Sequence, residues 1–231
     1  AQVREYALDS WAANRLYQTT AGNPLFVIET ARAGDNFTGL HADAGKPRGQ
    51  ATFPQPDMAL PAKVYAVIDS RLAQLSPTAH TLTQIAAIIG RSFTLALLRE
   101  ASHLDEEAVV AGADELWQRR IVAEQAEGHY DFTHDRIRDA AYAAGSPILR
   151  AHFHRQVAQA LAKLYAANLD SLAGELAVHY QRAGAWEEAF TYFRRAADVA
   201  QQLYAHRERV DYLEKAISVT QKLPADLKTT T

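Results

Sequence analysis

The sequence predicts a mainly α-helical protein with one small β-hairpin near its middle and an antiparallel helical arm after it. Three observations carry this. Helix-forming residues dominate, and glycine is scarce outside residues 22–49. From residue 61 onward apolar residues recur at helical spacing. Only at residues 121–132 does that spacing give way to two short β-prone runs around Glu127-Gly128.

The elements follow in order. Residues 3–19 carry Val3, Leu8, Trp11, Ala12 and Leu16 at mixed helical spacing and read as a first helix. Gly22-Asn23 breaks it, and Pro24 suits the first turn of the next, where a missing N–H costs nothing. Residues 33–60 are rich in glycine and proline and poor in apolar anchors, so they read as a long loop or linker. From Pro61, the residues Val64, Val67, Ile68, Leu72 and Leu75 make one helical face. Ser76-Pro77 caps and starts a helix carrying Leu82, Ile85, Ala86 and Ile89, which Gly90 ends. A short helix follows Phe93-Thr94, with Leu95 and Leu98. Another runs from about residue 105 to 120, acidic in its first turn and basic in its last, as the helix dipole favours. Residues 121–124 and 129–132 then form the hairpin, and residues 135–144 a further helix. Three helices followed by a hairpin is the order of a winged helix, here placed at residues 61–145.

Gly145-Ser146-Pro147 marks a boundary, and residues 146–231 read as helix only. One stripe is Phe153, Val157, Leu161 and Leu164, and a second is Leu172, Leu176 and Tyr180. A third is Ala189, Phe193, Ala196, Ala197 and Ala200, and a fourth is Leu203, Val210, Leu213 and Ile217, before Pro224. Small residues at the turn 183–185 and at Ala189 and Ala196 permit close helix crossing, which resembles a tetratricopeptide (TPR-like) pair.

Composition bounds the function. Apolar residues make up 48% of 231, enough for a sizeable core. A net charge of −3 gives no global attraction to nucleic acid or anionic membrane. There is no cysteine, which removes disulfides and thiolate metal sites and permits a cytoplasmic setting. No apolar run is long enough to span a bilayer, and no signal-peptide pattern opens the chain. The chain begins mid-pattern without methionine, which reads as part of something longer.

The segment from Asp131 to Tyr142 holds the chemistry of most interest. A strand runs straight into a helix, with His134 at the junction. A histidine there can reach a polar ligand, or it can simply bond a nearby carbonyl. Asp135 reads as the helix N-cap. His152 and His154 sit two apart and diverge by about 200° on a helix, so one metal cannot readily take both. They read as exposed polar residues near a helix start, and no metal site is expected. No nucleophile–base arrangement is recognisable. Glu106-Glu107 and Glu187-Glu188 fit helix-dipole stabilisation better than acid–base catalysis. No catalytic residue is therefore expected in this chain.

Residues 22–26, Leu60-Pro61, Arg71-Leu72, Leu75-Ser76, residues 86–90 and 132–142, Arg150 and His154 together resemble bacterial signal-transduction ATPases of the STAND class. These are large AAA-related regulators. The resemblance implies that residues 1–32 end the ATPase lid, with Gly22, Asn23 and Pro24 against the adenine. It implies that His134 and Asp135 match the family's winged-helix pair, whose histidine contacts the β-phosphate of ADP and holds the protein closed. Thr133 departs from the family, where a hydrophobic residue often stands. The helices beyond would be the arm on which a small-molecule inducer or partner protein binds. The ATPase core, with its phosphate loop and its use of ADP or ATP with magnesium, would precede residue 1. The one decoy, Gly39 to Lys46-Pro47, has five residues between its glycines where a phosphate loop needs four, and Pro47 offers no hydroxyl to magnesium.

Two rival readings stay open. One is a helical scaffold for a protein segment, with Trp186, Tyr192 and Tyr204 as candidate contacts beside Phe190 and Phe193, or with these aromatics as core packing. The other is a DNA-binding winged helix. Its reading helix would carry Asp105, Glu106, Glu107, Asp114 and Glu115 against Arg119 and Arg120, which phosphates would repel.

Overall fold

The computed structural model describes residues 62–90 and 92–222, with side chains from residue 68 onward. The expected helices at 3–19 and 25–32, Gly22, Asn23, Pro24, the 33–60 loop, the Gly39–Lys46 decoy and Pro224 lie outside the described residues. The chain divides into two compact units, Ala1–Ala73 and Gln74–Thr231. In the first, helix α1 (Ala62–Ala73) buries Ile68 and Leu72.

The second unit is mainly helical with one small antiparallel sheet. Helix α2 (Pro77–Ile89) opens as its residues dictate. Ser76 is the N-cap, and its Oγ accepts the Ala79 N–H at 3.2 Å. Glu115 Oε1 accepts the Ser76 N–H as well, and the Ser76 side chain, its N–H and Arg119 together hold the Glu115 carboxyl below the usual range. Gly90 closes the helix at φ 105°, a conformation side-chain-bearing residues rarely adopt. Helix α3 (Leu95–Ser102) is capped by Thr94, and α4 (Glu106–Gln118) by Asp105, whose Oδ1 accepts the Ala108 N–H at 2.7 Å.

Strands β1 (Val122–Ala126) and β2 (His129–Phe132) pair with Val122 opposite Phe132. Gly128 takes the positive φ that the turn needs, and Glu124 Oε1 accepts its N–H at 3.0 Å. Phe93 adds a bridge that the sequence did not signal, exchanging two 2.8 Å backbone hydrogen bonds with Tyr130. Its buried ring also lies 6.3 Å from the rings of Tyr130 and Phe132, so the hairpin is pinned to the start of α3.

Helix α5 (Asp135–Ala144) begins directly after β2. Asp135 is not its cap. His134 holds the N-cap position, and Asp135 is the first helical residue, ion-paired to Arg138 at 3.2 Å. His134 is in extended backbone and takes the cap one residue ahead of Asp135, and a carboxylate in the first turn still suits the dipole. Ser146 caps α6 (Pro147–Leu164), which packs on α2 and α3 on one side and on α7 on the other. Lys163 of α6 pairs with Glu100 of α3 at 2.6 Å.

A 3₁₀ turn (Ala166–Asn168) leads to α7 (Leu169–Arg182), α8 (Trp186–Gln202) and α9 (His206–Thr220). Helix α8 packs between α7 and α9. Its buried face is the third stripe, Ala189, Phe193, Ala196, Ala197 and Ala200. The fourth stripe does not behave as core. Leu203, Val210, Leu213 and Ile217 are exposed, and α9 instead buries Ala216 and Val219. Among the described elements α8 covers one side of α9, and the narrow alanine-bearing face wins that contact because it admits closer approach. Among the described residues, no helix is long and apolar enough to cross a membrane.

Candidate functional site

His134 sits half-buried where β2 becomes α5. Its carbonyl accepts the Ile137 and Arg138 N–H groups, and its ring does not cap the helix. Asp135 beside it is exposed, and Arg138 lies between Asp135 and Asp139 at 3.2 Å from each. The two histidine-pair residues therefore share one helix start, with one ring half sheltered and one carboxylate facing solvent.

The three aromatics proposed for partner contact differ in setting. Tyr204 is 81% exposed, Trp186 is half-buried, and Tyr192 stacks on Tyr180 with ring centres 5.4 Å apart. Phe193 is core, as its stripe predicts.

A second constellation went unread in the sequence. His154 is not an exposed residue near a helix start but is 1% exposed, while His152 faces solvent. The helical period explains both. His154 shares a face with Val157, Ala158 and Leu161, and His152 lies on the other side. In α7, His179 falls on the face of Leu176 and Tyr180 and is 6% exposed. The two imidazoles meet, with Nδ1 to Nδ1 at 2.9 Å. Tyr142 Oη of α5 lies 3.2 Å from His154 Nε2, and Glu175 Oε1 lies 3.9 Å from His179 Nε2. A polar chain thus crosses three helices in the order Tyr142, His154, His179, Glu175.

Its protonation follows from geometry. Nitrogens 2.9 Å apart need one proton between them, so the rings cannot both be imidazolium, and burial disfavours the charged form of each. Burial pushes His154 down to about 3, helped by His179, Arg182 and Arg150, and pushes His179 down to about 4, helped by Arg182. Burial raises the Glu175 carboxyl. Two proton patterns satisfy the chain. In one, Tyr142 donates to His154, His154 to His179, and His179 Nε2–H faces the Glu175 carboxylate. In the other, His179 donates to His154, His154 donates to the Tyr142 oxygen, and His179 Nε2 presents a lone pair.

The chain lies under an open cleft of about 510 Å³. Ile88, Arg138, Asp139, Tyr142, Glu175, Val178, His179 and Arg182 are among the residues lining it. An apolar strip with converging polar groups is the ordinary form of a ligand site. The signal for this site was present as buried-face positions of two histidines. The signal for their meeting, 25 residues apart, was not.

No family model matches the chain, and no solved structure matches it. It is similar to an uncharacterized protein of Rhizobium meliloti (strain 1021), at 31% identity over 160 residues. That match covers 67% of this chain and 15% of the relative, so the chain spans a small share of the length of the curated relative it matches.

Proposed function

We propose that this chain is a non-catalytic regulatory part of a STAND-type signal-transduction ATPase, joining a nucleotide-bound core to a helical sensor arm. In this reading residues 61–145 act as a winged helix and residues 146–231 as a TPR-like arm. The observation that carries it is the setting of His134. The ring stands half-buried at the point where β2 passes into α5, and it is not used as that helix's cap. A histidine so placed suits contact with a diphosphate presented by the rest of a longer protein. Helix α5 then gives a rigid link, since it runs from His134 to the Ser146 cap of α6 and holds His154 through Tyr142. His134 would favour the closed, ADP-bound state, and a signal on the arm would shift the population towards an open one. The test is His134→Ala in the longer protein. Expected are faster ADP loss and raised basal signalling; ADP retention and signalling both unchanged would overturn the reading.

One observation favours a second reading, a scaffold that binds a protein segment without a nucleotide role. Val210, Leu213 and Ile217 form an exposed apolar stripe along α9, and Tyr204 stands exposed just before it. Unchanged ADP retention in the His134→Ala protein, with signalling lost on Leu213→Lys, would favour this scaffold.

A further inference from the structure

We propose that the cleft over His179 binds a small zwitterion of dipeptide size, with its ammonium at Glu175 and its carboxylate at Arg182. This deepens the expectation of a small-molecule ligand on the arm by naming a site and a chemical class. It does not depend on nucleotide binding at His134.

The charges in the cleft are not equally available. Arg138 is already held by Asp135 and Asp139 on its own helix. Arg182 is exposed, and no side-chain hydrogen bond or ion pair engages it among the described residues. Glu175 is half-exposed, and among the described residues the cation-capable group beside it is the neutral His179 at 3.9 Å, too far for a hydrogen bond. Among the described residues, one anion and one cation are thus left without an ion-pair partner on the same face of α7. They are seven residues apart, about 10 Å along the axis at 1.5 Å per residue. Both side chains can lean towards His179, which lies between them. The span suits a molecule carrying opposite charges at its two ends, and a simple anion or cation would leave one of them unmet. Ile88 and Val178 supply an apolar wall for a side chain between the ends.

His179 presents a further polar group to the cleft. It is 6% exposed yet lines the cleft, and its Nε2 makes no hydrogen bond among the described residues. That nitrogen opens on the cleft, where a donor can reach it. A ligand ammonium beside Glu175 can donate to that lone pair, which selects the second proton pattern. The proton of His179 then sits on Nδ1 and that of His154 on Nε2. Each ring keeps one proton, and Tyr142 keeps its own. The Tyr142 oxygen changes from donor to acceptor, so occupancy of the cleft is felt on α5.

The test uses the full 231-residue chain and the dipeptide glycyl-leucine as probe, with calorimetry and ¹⁵N spectra of the histidine rings. Expected is saturable 1:1 binding, with His154 Nε2 gaining a proton as the dipeptide saturates. Acetylating the amine, amidating the carboxylate, Glu175→Gln or Arg182→Gln should each weaken binding by about tenfold or more, as loss of a charge-assisted hydrogen bond does. Both substituted residues are exposed, so the variants should fold, and their circular dichroism checks it. No saturable binding, or binding that neither variant weakens, overturns the proposal. ADP retention in the longer protein is a separate readout, so failure here is distinguishable from failure of the nucleotide reading.

Discussion

His154 and His179 make the folded state a poor proton acceptor, which gives stability a defined pH dependence. Their folded values, about 3 and about 4, lie below the ordinary 6.5 because burial disfavours the imidazolium and neighbouring positive charge adds to that. The unfolded chain therefore binds more protons between those limits. Stability is full above pH 6.5 and falls as pH drops from 6.5 through the folded values. The slope is about 1.4 kcal/mol per pH unit for each proton taken up on unfolding. Urea midpoints should fall steeply from pH 7 to pH 5. His154→Leu with His179→Leu should flatten that fall, and an unchanged slope would show that the pair is not its source. Tyr142→Phe removes only the hydroxyl that meets His154 Nε2. It should cost about 1 kcal/mol in the urea midpoint at pH 7, the usual net worth of such a bond.

Elements of this chain are set locally, and that decides what could be read in advance. The Ser76 cap was legible because a cap is a contact over three residues. Ser76, Thr94, Asp105 and Ser146 each accept an N–H three positions on. Ser76→Ala should cost about 1 kcal/mol of stability, measured by chemical denaturation. The third stripe was legible too, because a helix packed on two sides needs a broad apolar face. Ala189 is fully buried there, and Ala189→Leu should destabilise by about 1–3 kcal/mol through overpacking, which a lowered urea midpoint would report. Misreadings came where the deciding contact is distant in sequence. The stripe on α9 looks like core until one knows which face α8 covers. Phe93 becomes a strand partner only because Tyr130, far along the chain, offers its backbone. His154 and His179 each carried the period of a buried residue, yet nothing local announced that they would face one another. His134 at a strand-to-helix junction was visible in the residue order. The cap position was not, since it turns on one residue of extended backbone.

At the scale of the whole molecule, the Gly145-Ser146-Pro147 break separates a hairpin-bearing half from an all-helical one in sequence, but the packing runs across it. Helix α6 lies against α2 and α3 and also against α7, the Lys163–Glu100 pair ties α6 to α3, and the Tyr142–His154–His179 chain crosses the same line. Breaking either half therefore strips α6 of one of its two faces. Residues from Gln74 onward belong to one compact unit, so they should unfold together rather than in two steps. A chain beginning at Gln74 should show a single urea transition, coincident by far-ultraviolet circular dichroism and by the fluorescence of Trp117 and Trp186. Those tryptophans report on opposite sides of the break, Trp117 from α4 and Trp186 from α8. Coincident curves mean that the helices on the two sides of the break are one cooperative unit, which the proposed coupling to His134 requires. Two separated transitions would mean that α6 transmits nothing between them, and the link from arm to junction would have to be sought elsewhere.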